Sequence, residues 1–252
     1  DANSAATNNR LNQTRFCRNL TVTSGFIRSL TATNATATTI YGDVVFGANM
    51  TGLGNSSSGA WQLSGRGAQT IQMNGASFSN TSSSGLVSII TPSGSYSMQD
   101  AFSGSSGTLN VQAGTLNTNN YSVTIPSFLA NQGALARTVN LGTSIVTVST
   151  WAASGVTLNA SSATIVIATA STASRTFGGG GLTYGTLNYT VANSPGTLSF
   201  GRRHDRHAQY RARSNHEKCG QHSIDNRYSK YFWSKLRLPI SCGPYSWQRD
   251  GT

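Results

Sequence analysis

Two places in the chain hold side chains whose types could do chemistry. Toward the C-terminus, His204-x-x-His207 and His216-x-x-Cys219-x-x-His222 gather imidazoles and a thiol at short spacings, the raw material of a tetrahedral zinc site. No Cys-x-x-Cys knuckle accompanies them, so the spacing matches no zinc finger. Upstream, Asp1, Asp43 and Asp100 are the only acids before Gly201. Glycoside hydrolysis asks for two carboxylates a few ångströms apart. If the chain winds into stacked coils, Asp43 and Asp100 fall two to three coils apart, about 10–15 Å at the usual strand spacing. Each is expected to cap backbone amides at a turn instead. The abundant serines have no lysine or histidine partner before Gly201, and without one a hydroxyl stays inert. The glycine run 178–181 lacks the Lys-Ser/Thr of a phosphate loop and leads into no helical pattern. The reading is therefore no catalytic residues, no cofactor and no metal. Trp61, Tyr96, Tyr121 and Trp151 can stack on sugar faces if exposed; the competing expectation is that they fill an apolar interior.

The zinc-type cluster sits where the chain changes character. Residues 1–200 contain no lysine, glutamate or histidine, and seven arginines against three aspartates give +4. Residues 201–252 carry eight arginines, three lysines, four acids and all four histidines, for +7 of the total +11. A genuine basic tail with Tyr210, Tyr228, Tyr231, Phe232 and Trp233 would suit nucleic acid, neutralising phosphates and stacking on bases. A shifted reading frame explains it better. When the last two bases of each codon are joined to the first of the next, residues 202–213 permit D-G-T-T-V-T-L-N-I-G-P. Residues 227–240 permit G-T-A-N-T-F-G-A-N-S-G-S-Q, with the glycine after Trp233 forced. Both strings share the composition of residues 1–200. The tail is thus expected to be frameshifted or poorly ordered and to cap the preceding structure badly, and nucleic-acid binding is expected only if the tail is genuine.

The elements that must position any site are short strands. Apolar residues alternate with polar ones at Val44 and Phe46, Trp61 and Leu63, Ile71 and Met73, Leu109 and Val111, Val123 and Ile125, Val139 and Leu141, Val146 and Val148, and Ile165 and Ile167. Period two over about five residues reads as strand. Gly, Ser, Asn and Pro clusters separate them at 52–59, 82–85 and 178–181. Helix is expected nowhere except a turn within residues 9–15. Gly-Thr-Leu-Asn recurs at Gly107, Gly114 and Gly185, with Gly-Thr-Leu-Ser at Gly196. A chain that reuses one unit buries its apolar face by stacking copies, which favours a coil of rungs over a sandwich. Stacked coils set like beside like, and stacked charges would repel, so scarcity of Lys and Glu fits. Before the tail Cys17 is the only cysteine, and no apolar run is long enough to span a bilayer. The organisation predicted is a lead-in at 1–15, a β-helix at 16–200 and a tail at 201–252.

Arg137-Thr-Val-Asn-Leu-Gly142, Val146-Thr-Val148, Trp151, Gly155-Val-Thr-Leu-Asn-Ala160 and Thr176-Phe-Gly-Gly-Gly-Gly-Leu-Thr-Tyr184 resemble a largely uncharacterised family of right-handed β-helix proteins of phage virions and bacterial surfaces. The similarity covers roughly residues 16–200. It implies an all-β, right-handed parallel β-helix serving as a fibre, spike or adhesin stalk outside the cell, and it brings no catalytic residues. Cell-surface glycans or neighbouring virion and surface proteins are the expected partners, with association of three chains as a further possibility. The alternative is a carbohydrate-binding or polysaccharide-cleaving β-helix.

Overall fold

The computed structural model describes residues 9–11, 15–27, 29–32, 37–50, 52–55, 60–80, 86–169, 175–191, 197–200 and 211–213. They form a parallel β-solenoid of about six complete turns flanked by incomplete ones, with no helix among them. Each turn takes roughly the separation of its stacked partners, such as 23 residues between Asn117 and Asn140 and 19 between Asn140 and Asn159. Turn residues break each coil at corners, so three stacks of strands enclose one interior.

The first stack is a nine-stranded parallel sheet running from Asn9–Leu11 to Thr186–Val191. The second begins at Arg15–Cys17 and climbs through Ala60–Leu63, Ser127–Ala130 and Thr150–Ala153 to Thr197–Phe200. The third runs from Leu20–Thr21 through Ala68–Gln72 and Arg137–Asn140 to Thr157–Asn159. Two long strands, Leu86–Met98 and Thr108–Asn117, turn the corner between the second and third stacks without ending, which joins both into one 15-stranded sheet. The register slips of the first lie between Ile89 and Ser95, and a local bulge is what lets a continuous strand bend.

Parallel pairing in register sets like residues on one another. On the second stack Trp61, Val87, Leu109, Phe128, Trp151 and Phe177 are successive partners. On the first, Phe102, Val123, Val146, Ile165 and Leu187 follow one another. On the third, Leu116 lies on Val139 and Val139 on Leu158. Nearly all of these are buried, each fully buried large side chain stabilising the fold by about 1.5–3 kcal/mol. The inward alternation continues past the strand ends at Phe46, Met73, Ile125 and Leu141.

The four Gly-Thr-Leu copies do not mark one position per turn. They open strands on all three stacks, at Thr108–Asn117 and Thr197–Phe200 on the second, within Thr108–Asn117 on the third, and at Thr186–Val191 on the first. The motif encodes a corner followed by a strand with leucine inward, and the coil uses it wherever a corner is needed. Where residues 9–15 are described, strand stands in place of the helical turn expected there. Asn9–Leu11 pairs with residues 30–32 and Arg15–Cys17 with residues 38–40, so the described rungs begin inside the segment read as a lead-in. Backbone pairing to the next coil outweighs local preference there.

Arg211–Arg213 pairs antiparallel with Thr197–Phe200, in contrast to the parallel order of the other strands. The pairing reaches three residues of that one strand, Thr197 to Ser199. The remainder of residues 201–252, including the zinc-type cluster His204, His207, His216, Cys219 and His222, lies outside the described residues.

Candidate functional site

Asp43 and Asp100 converge on one strand from opposite sides. Asp43, a rung before Ala68–Gln72, accepts the Thr70 amide at 2.7 Å and the Thr70 hydroxyl at 2.9 Å through the same oxygen. Asp100, a rung after it, accepts the Met73 amide at 2.7 Å and the Asn74 amide at 2.5 Å, one on each oxygen. Both act as the caps that the sequence predicts, but the amides they satisfy belong to the neighbouring coil. Asn74 has φ of 48° and Gly75 of 82°, a left-handed corner that asparagine and glycine tolerate. Asn49, Asn74 and Asn119 each donate a side-chain amide to a carbonyl of the preceding rung, at Ser24, Phe46 and Met98. These carboxamides and carboxylates tie rung to rung where the strand ladder is interrupted.

Outside the third stack lies a pattern that sequence reasoning did not single out. Thr115, Thr138 and Thr157 are successive partners, as are Asn117, Asn140 and Asn159. The asparagines form a ladder, Asn159 donating to Asn140 and Asn140 to Asn117 at 2.5 Å each, and Asn117 to the Ser97 hydroxyl at 3.1 Å. Its signal was present as Thr-x-Asn at 115–117, 138–140 and 157–159. Irregular spacing hid the repeat, because the corners differ in length.

Of the four aromatics proposed to stack on sugars, Trp61, Tyr96 and Trp151 lie in the interior, and a ring enclosed by three stacks of strands presents no face to a glycan. Tyr121 alone is open, at 40% exposure. Trp151 stacks on Phe128 with centroids 4.5 Å apart and 9° between planes. Its indole N–H donates to the Tyr184 hydroxyl at 3.0 Å, which donates to the Gly179 carbonyl at 3.0 Å. The Tyr96 hydroxyl accepts the Gly65 amide at 3.3 Å and faces the Ile40 and Gly42 carbonyls at 3.1 Å. Arg137, buried against its own loop, donates to the carbonyls of Gln132 at 2.5 Å and Gly133 at 2.6 Å, and across the rung to Ser154 at 3.2 Å and Gly155 at 3.0 Å. One guanidinium thus holds two loops together without a carboxylate.

Burial pushes the Tyr96 and Tyr184 phenols up to about 12, against the opposing effect of hydrogen bonds from Gly65 and Trp151 respectively. The unfolded chain releases these protons near the ordinary value of about 10. Between those limits the folded state binds more protons, so stability present below about pH 10 falls as pH rises toward about 12. A urea midpoint that drops across this window, and drops less steeply in Tyr96→Phe, is the expected result. A midpoint indifferent to pH there would contradict the buried placement.

Taken together, the interior stacks, the corner caps and the Thr/Asn face define the described residues as a parallel β-solenoid. No family model, no curated protein and no solved structure matches the chain.

Proposed function

We propose that the chain is a non-enzymatic structural or adhesive solenoid of the phage tail-fibre or bacterial adhesin type, working on a cell surface or virion. The observation that carries this reading is the use of Asp43 and Asp100. Both carboxylates bind backbone amides of adjacent rungs at 2.5–2.7 Å, Asp43 at the middle of Ala68–Gln72 and Asp100 just past its end, so each is engaged by the backbone of a neighbouring coil. Their work is to hold coils in register. An exterior of hydroxyls and amides suits repetitive stacking, because aligned charges in neighbouring rungs repel. A solenoid built this way holds a binding surface at a distance, its partners being glycans or neighbouring surface proteins. Exposed Tyr121 favours a second reading, in which the same scaffold contacts carbohydrate at the corner beside Asn119 and Asn120.

The test pairs localisation with catalysis. Antibody labelling of the source particles or cells should decorate their exterior. Incubation with neutral and acidic polysaccharides should release no reducing sugar, from the native protein or from Asp100→Asn. Sugar release that Asp100→Asn abolishes while the variant stays folded would establish the polysaccharide-cleaving alternative.

A further inference from the structure

We infer that the natural chain is read one base out of the printed frame from about Gly201 onward, and that the restored frame encodes a further strand with the outward and inward alternation of the third stack. The inference rests on the solenoid architecture and not on the surface function proposed above. Its ground is the register of the described rungs.

Two successive rungs of the third stack follow one five-residue rule. In Thr138-Val-Asn-Leu-Gly142, Thr138 and Asn140 point outward, Val139 and Leu141 are buried, and Gly142 turns the corner with φ of 55°. One rung earlier, Thr115-Leu-Asn-Thr-Asn119 obeys the same rule. Leu116 and Thr118 are buried, and Asn119 takes φ of 52°. The positive φ falls on glycine or asparagine in both, the residue types that accept it.

The shifted frame of residues 202–213 permits T-L-N-I-G within D-G-T-T-V-T-L-N-I-G-P. Threonine and asparagine occupy the outward slots, leucine and isoleucine the inward ones, and glycine the corner. Along the chain the string would follow the second stack, two coils beyond Thr157–Asn159, where the described third stack ends. Thr197–Phe200 is the last parallel strand of the second stack, with Phe200 the partner of Phe177. The step from Phe200 to the leucine slot at position 208 is longer than that from Leu109 to Leu116 and shorter than that from Phe128 to Val139, steps that join the same two stacks. The base choices constrain the slots unequally: the asparagine slot, from Gln209 and Tyr210, is held to Asn or Ser and the isoleucine slot, from Tyr210 and Arg211, to Ile or Thr, whereas the leucine slot admits Leu, Pro, His or Arg and the corner slot Gly, Ala, Val or Glu. The printed frame instead offers Arg, His and Gln over the same positions, and in the described structure the chain leaves the parallel order at Arg211–Arg213.

The decisive experiment is tryptic mass spectrometry of the protein from its natural source, with sequencing of its coding DNA from the Ser199 codon past that of Thr252. Peptides carrying the Thr/Asn-rich string after Gly201 are expected, together with a one-base difference near that codon. Recovery of the peptides spanning residues 207–211 and 214–218 in the printed frame would overturn the inference, while leaving the surface role of residues 9–200 to be decided by labelling.

Discussion

Replacing Trp151 by alanine is expected to cost about 3–5 kcal/mol of stability, the range for removing a large aromatic from a packed core. The ring is fully buried and stacked on Phe128 at 4.5 Å, with Tyr184 edge-on at 6.0 Å. Its loss leaves a void between two rungs and removes the donor to the Tyr184 hydroxyl. In a solenoid each rung contacts only its neighbours, so a weakened interface also divides the array into separately unfolding parts. Urea unfolding followed by circular dichroism should therefore show a lower midpoint and a broader transition. Trp151→Phe, which retains a ring but no N–H, should lose only about 1–3 kcal/mol, the cost of an unmade buried hydrogen bond plus a smaller ring. A shift under about 1 kcal/mol for the alanine variant, the size of an average substitution, would contradict the interior placement.

Gly114→Val should be comparably damaging for a different reason. Gly114 sits at the corner inside Thr108–Asn117 with φ of 80°, and a β-carbon there would overlap the Thr91 carbonyl oxygen and methyl group of the preceding rung. The left-handed conformation costs a side chain about 1–2 kcal/mol, and forcing rungs apart adds about 1–3 kcal/mol. Gly155→Ala separates the two terms. Its φ is 59°, but the nearest atom to an added β-carbon is the end of the Arg137 side chain at 3.4 Å. Only the conformational part should be lost, and equal losses in both variants would remove the steric account of Gly114.

Much of this architecture was legible because parallel stacking repeats itself in the sequence. Alternation at Val139 and Leu141 or Ile165 and Ile167 gave the inward faces, and recurrent Gly-Thr-Leu argued for coils. The three-sided cross-section was not legible, since that motif marks corners on every face. Leu86–Met98 escaped notice because Pro92 and Gly94 punctuate it, and only pairing on both sides shows that the strand continues. The caps were predicted in kind at Asp43 and Asp100, but no local rule says that a carboxylate serves the next coil. Trp61, Tyr96 and Trp151 were ambiguous because amphipathic aromatics suit both an interior and a sugar face. Register decided them: Trp61 and Trp151 share a column with Val87 and Phe128.

The central claim is that coils lie on one another in parallel register, and oxidative cross-linking tests it most directly. In a background with Cys17, Cys219 and Cys242 changed to serine, Thr138→Cys/Thr157→Cys places thiols on partnered positions of adjacent rungs. Their α-carbons are separated by about 4.8 Å, within the range of roughly 4.4–6.8 Å that a disulfide spans. Thr115→Cys/Thr157→Cys skips a rung, at about 10 Å. The account predicts ready disulfide formation in the first pair and none in the second under the same oxidant. Equal cross-linking of both, or of neither, would contradict the stacked register on which the rest depends.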